Sequence, residues 1–314
     1  MPKFVEFYYD SSVKGQRIRA LKCIPDGEVR AIVQIAHGIS EHIDRYRHFM
    51  NYLAKNGYLA VGNDHLGHGR TPVYEKDRGA FAPEDGWNHV VTDMVILHDL
   101  MTAEMQVPVP YVMFGHSMGS FLVRTYIIDY PDKYDLAILS GTGHQGKALV
   151  AFGNLVAGQV VKRKGYYSDG TLLSTLSMGS YLRRIKHPRT EFDWISTVDE
   201  QVDKYVADEY CGLVAKAGLY ADLLEGVRYV TDPRNIAKMD PDKPILLISG
   251  AEDPVGDYGK GVRKAAKAFK DAGVKDVRMK LYEGDRHEIL NEKDRRVVYR
   301  NILTWLDHRI PSLK

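Results

Sequence analysis

Tyr111-Val112-Met113-Phe114-Gly115-His116-Ser117-Met118-Gly119-Ser120 is the stretch on which the reading of the fold turns. Tyr111 to Phe114 is a short run of large apolar residues, as in a buried strand. From Met118 to Ile128 apolar residues recur at helical spacing. Between the two stands Gly-x-Ser-x-Gly, Gly115 to Gly119. A serine on so sharp a strand-to-helix turn crowds its neighbours, and glycine on both sides removes the Cβ atoms that would clash. The five-residue pattern alone is weak; a strand running in and a helix running out make it specific. Leu176-Ser177-Met178-Gly179-Ser180 repeats part of the string. There Thr175 stands in place of the first glycine and no strand precedes it, so it reads as structural.

Working outward, short β-rich runs alternate with helical patterns, the grammar of a sheet flanked by helices. Phe4 to Tyr9 and Arg17 to Ile24 read as an antiparallel hairpin about the turn Ser11 to Gly15. Ala31 to Ala36, Tyr58 to Gly62, Leu136 to Leu139, Pro244 to Ile248 and Val277 to Tyr282 read as further strands. Helices are expected at Tyr46 to Lys55, Val90 to Met105, Lys260 to Lys270 and Arg295 to Leu306. Between His144 and Tyr229 the pattern is helical with no convincing strand. The expectation is an α/β fold: a mostly parallel eight-stranded sheet flanked by helices, formed by residues 1–143 and 230–314. Residues 144–229 are expected to be a helical cap over the edge where the strands end, which is where open α/β sheets bind ligands.

The bulk numbers exclude several classes. With 43 basic and 41 acidic residues in 314, the formal net charge of +2 gives no broad footprint for nucleic acid. Two cysteines, Cys23 and Cys211, allow neither a disulfide framework nor a four-cysteine zinc site. The N-terminus lacks the apolar run of a signal peptide. Leu149 to Val161, the most apolar stretch, is 13 residues long and holds Asn154 and Gln159, too short and too polar to span a bilayer. A cytoplasmic location is the default expectation.

A serine hydroxyl is a poor nucleophile until a base takes its proton. On this kind of fold the acid and then the histidine follow the serine in the chain. Of His144, His187, His287 and His308, only His287 falls in a loop just after a late strand, Tyr282-Glu283-Gly284-Asp285-Arg286-His287. The acid should follow the preceding strand, in Gly250-Ala251-Glu252-Asp253-Pro254. Asp253 is favoured over Glu252 and Asp257 because Pro254 fixes the backbone beside it. Two donors for a developing oxyanion are expected: the N–H of Met118 at a helix start, and the N–H of Ile39 after His37-Gly38. Asp64-His65-Leu66-Gly67-His68-Gly69 lacks metal-site spacing and reads as a structural loop, so no metal and no cofactor is expected. His116 is expected to pack or hydrogen-bond beneath the serine turn.

The chain resembles the monoacylglycerol lipase and lysophospholipase branch of the α/β-hydrolases, often grouped with serine aminopeptidases, over nearly its whole length. His37-Gly38-Ile39-Ser40-Glu41-His42 with Arg45-Tyr46 resembles that branch's oxyanion loop, and Asp64 to Gly69 its next loop. Gly115 to Ser120 resembles its nucleophile turn. Gly250 to Gly256 and Arg286 to Glu292 resemble its acid and histidine motifs. Ser40 and Ser120 depart from the mammalian type, which has glycine at both, and look bacterial. The resemblance implies hydrolysis of a small lipid ester, a monoacylglycerol or lysophospholipid, through a Ser117–His287–Asp253 triad and an acyl-enzyme. A peptidase acting on N-terminal residues and a small-ester carboxylesterase are the alternatives. Leu149 to Gly158 either lines an acyl tunnel or packs the cap onto the core. If its helix lies on a membrane, Lys162 to Lys164 would meet headgroups in a transient contact.

Overall fold

The computed structural model describes residues 1–72 and 74–310. Eight strands form one sheet: β1 Lys3–Asp10, β2 Arg17–Ile24, β3 Ala31–Ala36, β4 Tyr58–Asn63, β5 Tyr111–His116, β6 Leu136–Ser140, β7 Ile245–Gly250 and β8 Val277–Tyr282. Their order is β1-β2-β4-β3-β5-β6-β7-β8. β1 pairs with β2 and β2 with β4 antiparallel; every other pairing is parallel. β3, β4, β5, β6 and β7 are buried along their whole length, as expected of strands covered on both faces. Ten α-helices lie among the described residues: α1 Arg47–Lys55, α2 Gly86–Ala103, α3 Met118–Asp129, α4 Lys147–Lys164, α5 Thr171–Met178, α6 Asp199–Ala207, α7 Ala217–Thr231, α8 Pro233–Ile236, α9 Lys260–Asp271 and α10 Arg295–Asp307. α2 starts at Gly86, four residues before the periodic pattern at Val90, because Trp87 is already buried against the core.

Between β6 and β7 the described residues carry helices and irregular segments, with no strand and one isolated bridge, between Asp169 and Lys216. α7, in the later half of this block, packs on α2, α3 and α4 and buries Leu219, Tyr220, Val227 and Val230. Arg124 of α3 reaches both stems of the block: its guanidinium donates to the carbonyls of Gly143 (2.8 Å) and Val230 (2.7 Å). It is fully buried between Phe121 and Phe269, and burial pushes it down to about 9. Among the described residues no helix is long and apolar enough to cross a membrane.

The fold is tightly packed where α3 leaves β5 beneath β3. β3 and β5 pair with Ala36 opposite Gly115. A Cβ on Gly119 would lie 2.1 Å from the Ala36 carbonyl oxygen, and one on Gly115 would lie 2.3 Å from the Gly119 carbonyl oxygen. Both obstacles are backbone, so no side chain can turn aside to relieve them.

Gly119→Ala is therefore expected to destabilise the protein by about 3 kcal/mol, the upper end for overpacking. Urea denaturation measures this, and wild-type stability in the variant would show that the backbones are not so closely apposed.

Candidate active site

The turn between β5 and α3 holds Ser117 at φ +53° and ψ −121°, a conformation L-residues rarely adopt. Such a backbone costs about 1–3 kcal/mol and persists only where its surroundings impose it. The Ser117 N–H donates to the Ser140 carbonyl at 2.9 Å, and the Ser117 carbonyl accepts from the N–H (2.8 Å) and hydroxyl (2.6 Å) of Ser120. Ser120 thus tightens the turn with a bond that glycine could not make. Met118 opens α3, so its N–H has no intrahelical acceptor.

Asp253 and His287, 34 residues apart in sequence, meet at 3.0 Å between Oδ2 and Nδ1. Both are buried. Asp253 also accepts from the Ser249 hydroxyl (2.9 Å) and the Val255 N–H (2.9 Å). Burial alone would raise this carboxyl, but attraction to His287 and these donors outweigh it, and its pKa falls below the usual aspartate value. Burial alone would lower His287; the charge and hydrogen bond of Asp253, with Glu288 and Glu41 beyond, turn the net shift upward. The ring stands between His116 (4.6 Å between centroids) and Trp194 (5.2 Å). His116 hydrogen-bonds the Ser140 hydroxyl at 3.2 Å, beneath the serine turn. His287 and Ser117 line the same cleft, and Nε2 of His287 carries no hydrogen-bond partner. His144, His187 and His308 do not line this cleft, nor do Glu252 and Asp257.

The loop after β3 is organised by a neutral histidine. His37 Nε2 accepts the N–H of His65 (3.0 Å), so its proton sits on Nδ1 and is donated to the Gly38 carbonyl (2.7 Å). Burial pushes His37 down to about 4, which keeps it uncharged near neutrality. The Gly38 carbonyl and the Ile39 N–H share one planar trans peptide and point in opposite directions. Pinning the carbonyl therefore fixes the direction of the Ile39 N–H. Ser40 follows at φ +55°, and its hydroxyl bonds the Leu213 carbonyl at 2.6 Å, a contact the glycine of other sequences would lack. His65 and His68 belong to this packing: burial is the main cause of the downward shift of both.

Arg45 joins the two loops. It donates to Glu41 (2.8 Å) and bidentately to Glu288 (2.6 and 2.7 Å). Glu41 in turn accepts from the Gly38 N–H (2.5 Å) and the Tyr46 hydroxyl (2.8 Å). Burial raises Glu41, but Arg45 leads the opposing attractions and the carboxyl falls to about 2. The histidine loop is also tied to residues 193–197: Glu288 N–H to Ile195, Arg286 to the Asp193 and Ser196 carbonyls, and Thr197 N–H to Glu292. In the sequence Arg45 and Glu288 appear only as parts of motifs; their pairing spans 243 residues and has no local signal.

The larger, apolar share of the cleft wall comes from the block between β6 and β7: Met178, Phe192, Trp194, Ile195, Leu213 and Val214. Leu149 to Gly158 does not line it. Within α4 only Val150 and Ala157 are buried, while Leu149, Phe152 and Leu155 are each more than 60% exposed. Of the two expectations for that segment, packing holds for one face, while the other meets solvent. The free volume of the cleft is about 70 Å³.

A family model described as "Serine aminopeptidase, S33" matches residues 27–294. A monoacylglycerol lipase from Mycolicibacterium smegmatis is 28% identical, covering 94% of this chain and 95% of its own. A rat monoglyceride lipase is 25% identical over 91% of this chain and 85% of its own. Among solved structures, a thermostable carboxyl esterase from Bacillus coagulans, in complex with glycerol, superposes with a TM-score of 0.91 at 28% identity, covering 98% of this chain and 99% of that one.

Removing Arg45 would leave two buried carboxylates without their counter-ion. Arg45→Met is expected to cost about 3–5 kcal/mol, as for a broken buried ion pair. A thermal melt measures it; an unchanged midpoint would mean the pair contributes nothing.

Proposed function

The chain belongs to the serine aminopeptidase S33 family, and on that premise we propose that it is a carboxylic ester hydrolase acting on small lipid esters, with Ser117 as nucleophile, His287 as base and Asp253 as the acid that orients it. The observation that carries this reading is the strained Ser117 turn opening onto the same cleft as the unpartnered Nε2 of a histidine held by a buried aspartate. Ser117 Oγ attacks the ester carbonyl as His287 Nε2 takes its proton. Asp253 holds the other ring nitrogen and stabilises the imidazolium. The N–H groups of Ile39 and Met118 receive the oxyanion, where charge develops in a site sheltered from water. His287 then protonates the departing alcohol, the acyl group remains on Ser117, and water activated by the same histidine releases the acid. The open Nε2 fits a contact that forms only when substrate is bound, as is common in free enzymes.

Apolar walls favour an acyl chain, and the names of the relatives point to monoacylglycerols. The cleft is far smaller than the roughly 300–1,000 Å³ of ordinary ligand pockets. An acyl chain therefore enters only when residues 174–178 or 208–214 move, and residues 144–229 act as the cap that moves. The peptidase alternative needs an acidic group free to hold an amine. Glu41 and Glu288 are occupied by Arg45, which leaves Glu191 at the rim.

Ser117→Ala is expected to lose at least about 10⁴-fold in kcat on monoacylglycerols, p-nitrophenyl esters and lysophospholipids alike. Surviving activity would remove the serine from the mechanism, and faster cleavage of aminoacyl-anilides would favour the peptidase. In wild type the base must be neutral, so kcat/KM rises with pH through the His287 pKa. Because that pKa is raised, the acid limb should lie above the ordinary histidine value of 6.5. An acid limb well below it would contradict the Asp253–His287 coupling.

The outward stripe Leu149, Phe152 and Leu155, with exposed Lys162, Arg163 and Lys164 in the last turn of α4, fits a helix lying on a lipid surface. Serine at the three apolar positions should reduce co-sedimentation with anionic vesicles several-fold. Equal sedimentation would leave the stripe without that role.

A further inference from the structure

We propose that His42, Asp208 and Cys211 form a binding site for a divalent cation of the zinc class, which fastens residues 208–213 to the loop after β3. The inference is independent of the ester-hydrolase reading. An imidazole nitrogen, a carboxylate oxygen and a thiol sulfur from these residues lie within 4.8 Å of one another, the one such group of metal-ligating side chains among the described residues. Nitrogen, oxygen and thiolate are the donors zinc takes, and the thiolate selects against magnesium and calcium. Tetrahedral zinc with bonds of about 2.0–2.3 Å spaces its donors about 3.3–3.7 Å apart, so the His42 and Asp208 donors would part slightly as the Cys211 sulfur is brought to bonding distance.

The local backbone builds the arrangement. The Asp208 carboxylate accepts from the Tyr210 N–H at 2.9 Å, and the Cys211 N–H donates to the Asp208 carbonyl at 3.0 Å. This tight turn carries Cys211 back beside Asp208. It leaves the second carboxylate oxygen facing His42 Nε2 across the gap at 3.0 Å. On the far side of the ring, Nδ1 faces Asp44 at 3.7 Å, and Asp44 is itself held by Arg19 (2.7 Å) and Arg47 (2.6 Å). A carboxylate behind a metal-bound imidazole is the usual outer support of a zinc site, because it fixes the ring and its tautomer. Cys211 is free and buried, and His42 is buried. Asp208 is 31% exposed and, with His42, borders a groove open to solvent, the route by which an ion and a water as fourth ligand would arrive. The thiol proton, and the proton His42 shares with Asp208, leave to solvent as the ion takes their place.

The position gives the ion something to hold. Gly212 donates to the Ser40 carbonyl (3.0 Å), the Tyr205 hydroxyl reaches the same carbonyl (3.0 Å), and Leu213 accepts from the Ser40 hydroxyl. Leu213 and Val214 then continue into the cleft wall. An ion at Cys211 would add a metal crosslink to this seam of hydrogen bonds.

The test uses untagged full-length protein treated with a chelator. Cobalt(II) is expected to give one equivalent of a thiolate-to-cobalt charge-transfer band in the near ultraviolet. Zinc should bleach the band, whereas magnesium and calcium should not. Cys211→Ser should abolish the band and weaken zinc binding by about 100-fold or more; Asp44→Asn should weaken it about 10–100-fold. A metal-free melt checks that the variants fold. If Cys211→Ser does not fold, the wild-type cobalt spectrum decides alone. No band in wild type at excess cobalt, or equal zinc affinity in a folded Cys211→Ser protein, would overturn the site.

Discussion

At the serine turn backbone meets backbone, where the first turn of α3 passes under the last residue of β3. A Cβ added at Gly119 would sit 2.1 Å from the Ala36 carbonyl oxygen. Much else depends on that contact. It demands glycine at 115 and 119 and brings the loop after β3 beside the serine. It also drives Ser117 to a positive φ that the residue would not choose alone. The strain is tolerable because the strands that hold the turn, β3, β5 and β6, are buried throughout and hydrogen-bonded on both sides.

Around this rigid point the electrostatics are arranged by burial and pairing. Three histidines beside the serine, His37, His65 and His116, are pushed down by burial and serve as neutral packing and hydrogen-bonding groups. His287, which lines the cleft, is pushed up instead, because a buried carboxylate outweighs the same burial; His42, between Asp44 and Asp208 and away from the cleft, is also raised. The contrast separates the group suited to move a proton from those suited to hold a backbone. Arg45 adds a further constraint, since its two carboxylate partners sit on the loops that carry Ile39 and His287.

Much of this was legible in the sequence because it is written locally. Every strand is readable as a short β-rich run between turn residues, and the turn at Ser117 from two glycines flanking a serine. Asp253 and His287 were picked out by their places after β7 and β8, and they meet at 3.0 Å. What could not be read is what depends on partners far along the chain. The periodicity of α4 marks an apolar face but cannot say whether that face meets the cleft, the core or solvent. The cleft walls come from residues 174–178, 191–195 and 205–214, whose patterns look like unremarkable helices and loops. Glu288 reads as a surface charge until Arg45 is set against it.

Arg124 ties the two ends of the long helical block to one side chain. Its guanidinium holds the carbonyl of Gly143 and that of Val230, so the chain leaves and rejoins the sheet scaffold at a shared post. The post belongs to α3, in the scaffold, and not to the block, so the two stems are kept level with each other by a side chain the block does not supply. Exit and re-entry of the chain share one reference, and a change at that guanidinium reaches both ends of the block at once.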